Sequence, residues 1–501
     1  MTPTDIPPEV FRDAGHRLID WVADYLANPE QYPVLAQVAP GDVKGALPPA
    51  PPRTSESLDD IIADFERVIV PGVTHWNHPG FHAYFSVSAS APGILGELLT
   101  AALNTNGMLW RSNPSSTELE QLTLDWLRQM LGMGQGWFGM ITDTASLSTM
   151  LALAAAREAK PELAVRERGL AGRADLPPLR VYCSEQAHSS VDKGALTLGF
   201  GYENVVHVPV DDAFRMRADA LDAAVRADRA RGMLPLACVA TVGTTGTTSI
   251  DPVPAIADVC RREGIWLHVD GAYGAAAAAV PEMRHVLDGV ERADSLVVNP
   301  HKWLFTPIDC SALYTRHPEV LRRAFSLVPE YLTTRGEADE VVNYMDYGVQ
   351  LGRRFRALKL WMVLRAFGVD GIAERIRAHV ALARELAGRV EASGDWELMA
   401  PVPLSLVCFR YAPEDVPEDE LNILNERILH DVNASGRAFL SHTKLRGKYT
   451  IRLAIGNIRT ERRHVEEAWR LLQDAASRVL PERTSPPSPA AGAAGASPVR
   501  G

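Results

Sequence analysis

Between about residues 86 and 360, short β-branched runs alternate with helix-patterned segments. Runs at Leu179–Cys183, Val205–Val208, Leu236–Thr241, Ile265–Val269 and Leu296–Val298 are separated by stretches such as Ala218–Arg231 and Pro254–Glu263. Helical connectors let successive strands run in one direction, so alternation of this kind predicts an α/β fold with a mostly parallel sheet. Ligands on such sheets gather beyond the carboxyl ends of the strands.

The flanks read differently. Glu9–Ala27 has Val10, Leu18, Val22 and Leu26 on one face, with Phe11 and Ile19 beside them, as an amphipathic helix requires. A Pro- and Gly-rich connector over 40–57 precedes a second helical pattern, ended by Pro71-Gly72. These elements are too few to enclose a core, so residues 1–85 are expected to form a helical arm. Residues 86–360 form the expected large domain. Residues 361–478, with strands near Ser405–Arg410 and Tyr449–Ile455 and a helix near Glu418–Val432, suggest a small α+β domain. Residues 479–501 are mostly Pro, Ala, Ser and Gly, a composition that predicts disorder.

A net charge of −11 argues against a nucleic-acid or anionic-membrane partner. No apolar run is long enough to span a bilayer, and the N-terminus lacks the apolar stretch of a secretory signal. Five scattered cysteines without a C-x-x-C pair fit reduced thiols in a cytoplasmic protein.

Asn299-Pro300-His301-Lys302-Trp303 directly follows the apolar run Ser295–Val298. A lysine there can begin a solvated loop. Buried, it would have a lowered pKa and a nucleophilic amine able to form a Schiff base. Asp270 ends an earlier strand, as a turn cap or as a carboxylate paired with a buried cation. Lysine and carboxylate on nearby strand ends suit pyridoxal phosphate: one holds the aldehyde, the other keeps the pyridine nitrogen protonated. Asp143-Thr144-Ala145-Ser146 stands before a helical run, where free N–H groups and hydroxyls can cap the helix or bind phosphate. His188 follows another strand, where it is either structural or placed to stack on a flat ring. The segment 240–248 supplies a tight turn or a close approach to a ligand.

Two motifs mislead. Gly134-Gln135-Gly136-Trp137-Phe138-Gly139 follows a helix and is filled by bulky rings, unlike a dinucleotide loop. His75, His78 and His82 have ligand-like spacing but lie among aromatic residues, so a packed loop is expected and no metal site.

Together these segments resemble the group II pyridoxal-phosphate-dependent decarboxylases, specifically the aromatic L-amino-acid decarboxylases, from about residue 5 to 475. Further carriers are Pro71-Gly72-Val73-Thr74-His75-Trp76, Ser116-Thr117-Glu118-Leu119-Glu120 and Leu351-Gly352-Arg353-Arg354-Phe355-Arg356. The resemblance implies fold type I with a seven-stranded sheet, pyridoxal 5'-phosphate as cofactor, a small amino-acid substrate, and a homodimer with active sites at its interface. By motif it implies that Lys302 carries the cofactor, Asp270 faces the pyridine nitrogen and His188 stacks on the ring. Ala145, Ser146, Asn299 and His301 would hold the phosphate, and Thr245 would lie near the ring. Tyr331 would sit on a mobile loop as proton donor to Cα, with help from His188.

The implied reaction is loss of carbon dioxide from an aromatic amino acid of tryptophan, dopa, tyrosine or phenylalanine type. Alternatives on the same scaffold are an aromatic aldehyde synthase and a histidine or glutamate decarboxylase. In the family, aldehyde formation resembles loss of the loop tyrosine or the ring histidine; Tyr331 and His188 are both kept here. Trp76, Tyr84 and Phe85 match the substrate wall. Ser86-Val87 departs from a Pro-Thr pair, and Asn106 and Met108 replace the apolar and aromatic residues of animal members, which makes one side more polar. Gly352 stands where plant members carry Gly for indolic and Ser for phenolic substrates.

Overall fold

The computed structural model describes residues 5–327 and 341–479. Seven strands build the larger sheet: β1 (Phe138–Thr142), β2 (Leu179–Ser184), β3 (Val205–Val208), β4 (Leu234–Thr241), β5 (Trp266–Asp270), β6 (Ser295–Val298) and β7 (Ser311–Thr315). Their order is β1-β7-β6-β5-β4-β2-β3. Pairing is parallel from β3 through β6, whereas β7 is antiparallel to both β6 and β1. The α/β expectation is met. The sequence reading did not pick out β1 and β7, which carry Gly139, Met140, Ser311 and Ala312 rather than β-branched runs.

Alternation along β5 separates two environments. Leu267 and Val269 join one hydrophobic layer, while Trp266 joins the other. The helix Ala145–Glu158 covers the second face, and its Ala152, Ala154, Ala155 and Ala156 are fully buried. Small side chains there let the helix lie close to the sheet.

A helix over Ala357–Ala392 leads out of this layer and is broken at Gly368, whose φ of 65° and ψ of 169° are not helical. Glycine adopts that φ without a Cβ clash. Beyond it, β8 (Trp396–Leu398), β9 (Leu406–Tyr411), β10 (Ser441–Leu445) and β11 (Lys448–Ala454) form an antiparallel sheet in the order β10-β11-β9-β8. Its core includes Phe409, Ile451, Leu453 and Trp469.

The first helix, Pro8–Ala27, starts on Pro8, which donates no N–H and suits a first helical turn. The N-terminal part of its expected apolar face is left uncovered: Phe11 is 64% exposed and Ile19 44%, whereas Val22 and Leu26 are half-buried. The segment after it is tied to the smaller sheet, where His82 N–H donates to the Phe439 carbonyl and Ala454 N–H to the His82 carbonyl. His75 stacks on Tyr32, and His78 Nδ1 accepts from Gly80 N–H, so the three spaced histidines serve packing and turns. No helix among the described residues is long and apolar enough to cross a membrane.

One buried ion pair locks β1 to the segment after residue 350. Glu120 Oε1 accepts from Ile141 N–H and from Arg353 Nη2, both at 2.7 Å, and Arg353 Nη2 also donates to the Ile141 carbonyl. Removing one partner leaves the other charge buried and unpaired. Glu120→Ala should therefore cost about 3–5 kcal/mol in equilibrium urea denaturation. A loss below about 1 kcal/mol, the value of a surface pair, would contradict this assignment.

Candidate active site

Because β7 reverses and β1 reverses again, β1 shares the direction of β2, β4, β5 and β6. With β3, also parallel to β2, six carboxyl ends therefore meet on one edge of the sheet. Those of β1, β2, β4, β5 and β6 carry segments singled out from the sequence.

Beyond β1, Thr144 caps the Ala145–Glu158 helix: its Oγ1 accepts from Leu147 N–H at 3.5 Å. The first N–H groups of the helix, near Ala145 and the exposed Ser146, have no intrahelical acceptor. A hydroxyl chain anchors this turn, Thr142 Oγ1 to Ser148 Oγ at 2.7 Å and Ser148 Oγ to Ser311 Oγ at 3.2 Å. Beyond β2, His188 Nδ1 accepts from Ser190 N–H at 3.1 Å, which leaves the ring proton on Nε2. Desolvation lowers the pKa of His188, Asp270 opposes that shift, and Lys302 adds to it.

Asp270 closes β5 and is 5% exposed. Its Oδ1 accepts from Ala272 N–H at 3.0 Å. Beyond β6, Lys302 N–H donates to the Asn299 carbonyl, and the Lys302 Nζ lies 5.5 Å from the Phe85 ring centroid. Burial lowers the Lys302 pKa, and the charge of Asp270 offsets part of that shift. His301 is buried and its Nδ1 accepts from Cys310 N–H at 2.9 Å; desolvation pushes its pKa down to about 3, so it is neutral with Nε2 protonated. Two buried polar atoms on this edge, Asn299 Oδ1 and Thr241 Oγ1, have no protein partner. That fits an edge which hydrogen-bonds a polar ligand.

Thr245 rides on the loop after β4. The loop can cross β5 closely because two glycines meet there: a Cβ on Gly243 would lie 2.9 Å from Gly274 Cα, and one on Gly274 would lie 2.5 Å from the Val242 carbonyl oxygen. Arg452, 3% exposed, holds the loop from the smaller sheet. It donates to the carbonyls of Thr245 at 2.6 Å and Gly246 at 3.1 Å, and to Ser441 Oγ at 2.6 Å. The sequence reading missed this residue; its only signal is a charge inside an apolar strand. Tyr273 was missed too. Its ring stacks on Phe85 at 3.8 Å and on Trp303 at 4.7 Å, and the Trp303 indole N–H donates to His379 Nδ1.

The expected substrate wall divides. Trp76 stacks with Tyr84 at 5.9 Å, and Phe85 lies beside Lys302. Asn106, Met108 and Gly352 form another group, joined through Asn106 Oδ1, which accepts from Met108 N–H and Arg353 N–H. No hydrogen bond, ion pair or ring contact among the described residues links the two groups directly. Tyr331 lies outside the described residues.

A buried amine of lowered pKa, a buried carboxylate whose charge acts on it and a hydroxyl-rich helix start are groups able to serve a Schiff-base site with a phosphate anchor on an α/β sheet. The conserved domain of pyridoxal-dependent decarboxylases matches residues 40–412, and the chain belongs to that family. It is thus a carboxy-lyase whose cofactor is pyridoxal 5'-phosphate. It is 41% identical to tyrosine decarboxylase 4 of Petroselinum crispum over 490 residues, 95% of each chain. It is 40% identical to a phenylacetaldehyde synthase of a Rosa hybrid cultivar, again over 95% of each. The structure of Oryza sativa TDC with PLP and tryptamine superposes with a TM-score of 0.91 at 36% identity, covering 95% of this chain and 99% of that one.

Four histidines in or behind the site are neutral through burial: His301 near 3, and His82, His268 and His379 near 4. Each binds its proton more weakly folded than unfolded, where the pKa is about 6.5. Their contribution is thus complete above about pH 6.5 and is lost as pH falls through about 4, and for His301 through about 3. Urea midpoints should fall steadily across that window. Midpoints that rise as the pH drops would contradict it.

Proposed function

We propose that this carboxy-lyase acts on an aromatic L-amino acid and releases the arylalkylamine and carbon dioxide. The observation that carries the reading is the convergence of Lys302, Asp270 and His188, with the Lys302 amine over the Phe85 ring. The neighbouring Trp76 and Tyr84 and the high similarity to a tyrosine decarboxylase support the substrate class.

When bound, the cofactor supplies the carbonyl that takes the substrate amine and the electron sink for the bond to the carboxylate. The residues of the chain set the rest. Burial lowers the pKa of Lys302 and so raises the share of its free, nucleophilic amine. Asp270, fixed by Ala272 N–H, would face the pyridine nitrogen. The N–H groups of Ala145 and Ser146, with Asn299 and protonated Nε2 of His301, would hold the phosphate. His188 would stack on the ring, and Thr245 would lie near it. The Tyr331 hydroxyl returns a proton to the substrate Cα.

Two copies complete the pocket in this reading. Leu95, Leu98, Leu99 and Leu103 on the helix Ala91–Leu103 are exposed, as is the N-terminal part of the apolar face of the first helix. A homodimer would cover both and bring Asn106, Met108 and Gly352 of one copy opposite Trp76, Tyr84 and Phe85 of the other. Residues 1–85 would serve as the arm across that interface. The five buried, unbridged cysteines are consistent with a cytoplasmic location.

Retention of His188 and Tyr331 favours the amine over the aldehyde made by the phenylacetaldehyde synthase relative. Incubation with tyrosine, dopa, tryptophan, phenylalanine, histidine and glutamate should give carbon dioxide and amine from the aromatic substrates only. Borohydride reduction should fix the cofactor on Lys302, and Lys302→Ala should abolish both labelling and turnover. Tyr331→Phe should lose amine formation by at least about a hundredfold, as expected for a positioned proton donor, with aldehyde and peroxide replacing it. Full amine yield from that variant would refute the role of Tyr331.

A further inference from the structure

The larger sheet has a second edge, opposite the catalytic one. At the amino ends of β4, β5 and β6, where β7 also terminates, lies a cavity of about 470 Å³. Its floor is apolar: Leu236 near the start of β4, Ile265 and Trp266 at the start of β5, and Ala156 near the end of the Ala145–Glu158 helix. The space exists because small residues border it. Ala156 and Ala159 carry only a methyl group, and a Cβ built on Gly264 meets nothing within 4 Å. The strand from Trp266 to Asp270 separates this floor from the catalytic edge by roughly 13 Å.

The rim is polar and mostly cationic, with Lys160, Arg261, Arg292, His317 and one acid, Asp294. Asp294 is fully engaged: Oδ2 accepts from Leu267 N–H at 2.7 Å, and Oδ1 lies 2.9 Å from His317 Nε2. The bond to Asp294 raises the pKa of His317, whose Nδ1 is also 3.8 Å from Glu319 Oε1. Arg261 and Arg292 share the carboxylate of Asp258, at 3.2 and 2.5 Å. Lys160 differs. Its Nζ donates to the Gly264 carbonyl at 3.2 Å, and no carboxylate among the described residues pairs with it. An apolar cavity of this size with a few convergent polar groups is the usual form of a small-molecule site.

We propose that this cavity binds a small apolar monocarboxylate, with its carboxylate on Lys160 and its hydrocarbon body against Leu236, Ile265 and Trp266. An amine of the same size would add positive charge to a cationic rim. A dicarboxylate would have to desolvate its second charge over the apolar floor. A neutral alcohol would bury the same hydrocarbon and leave Lys160 unpaired. The site is separate from the catalytic edge and does not depend on which amino acid the enzyme decarboxylates.

The test is isothermal titration of the cofactor-loaded enzyme with hexanoate, acetate, hexylamine and 1-hexanol, in wild type, Lys160→Glu and Ala159→Trp. Wild type should bind hexanoate at least about tenfold more tightly than acetate, because more methylene groups leave water, and at least about tenfold more tightly than hexylamine. Lys160→Glu should weaken hexanoate by about tenfold or more, the range of a lost charge-assisted hydrogen bond, and leave 1-hexanol within about twofold. Ala159→Trp, at an exposed position on the cavity wall, should weaken hexanoate and 1-hexanol alike. Both variants should keep wild-type cofactor absorbance and turnover, which shows that they are folded. If Ala159→Trp does not, Lys160→Glu decides. Hexanoate held in the catalytic site instead would compete with substrate and ignore both substitutions. That result, binding no better than that of hexylamine, or no heat from hexanoate at millimolar concentration would overturn the site.

Discussion

Parallel pairing of β3, β2, β4, β5 and β6, with β1 restored to the same direction by the reversed β7, ends six strands on a single edge. Every chemical group of the site is a consequence of that alignment. The strands are short and buried, so their backbone groups are satisfied within the sheet, and polarity is released only where the chain leaves it. Asp270 and Lys302 can therefore stand near each other at the boundary of a dry core. The carboxylate moderates the cost of burying the amine, while burial keeps the pKa of the amine below its ordinary value.

Neutrality of the neighbouring imidazoles is part of the same arrangement. His301 accepts a backbone N–H on Nδ1, and His188 does so too, so each presents a protonated Nε2 without carrying charge. A charged imidazole at either place would add a second positive charge beside the buried Lys302 and raise the cost of burying it. The site thus supplies hydrogen-bond donors while keeping positive charge on one side.

What could be read from the sequence follows from the range of the interactions involved. The strands at Leu179–Ser184, Val205–Val208 and Leu234–Thr241 were legible because their apolar runs are local. Lys302, Asp270 and His188 were legible because each directly follows or closes such a run. β1, β7, β8 and β10 were not, since small or polar residues give them no distinctive pattern and only pairing with distant partners makes them strands. Arg452 and Tyr273 were missed for a related reason: their roles come from contacts with Thr245 and Phe85, far away in sequence. The split of the substrate wall was also invisible, because Asn106 and Gly352 meet only through the fold.

The contact between Gly243 and Gly274 has a consequence for how this site can vary. Backbone lies against backbone there, and no relaxation of a side chain can make room, because neither residue has one. Chains related to this one are free to change the chemistry carried by the loop after β4, since Thr245 sits beyond the crossing point. They are not free to thicken the crossing itself. The hinge between strand ends is a fixed aperture, and diversity in ring recognition has to enter from the walls on either side of it.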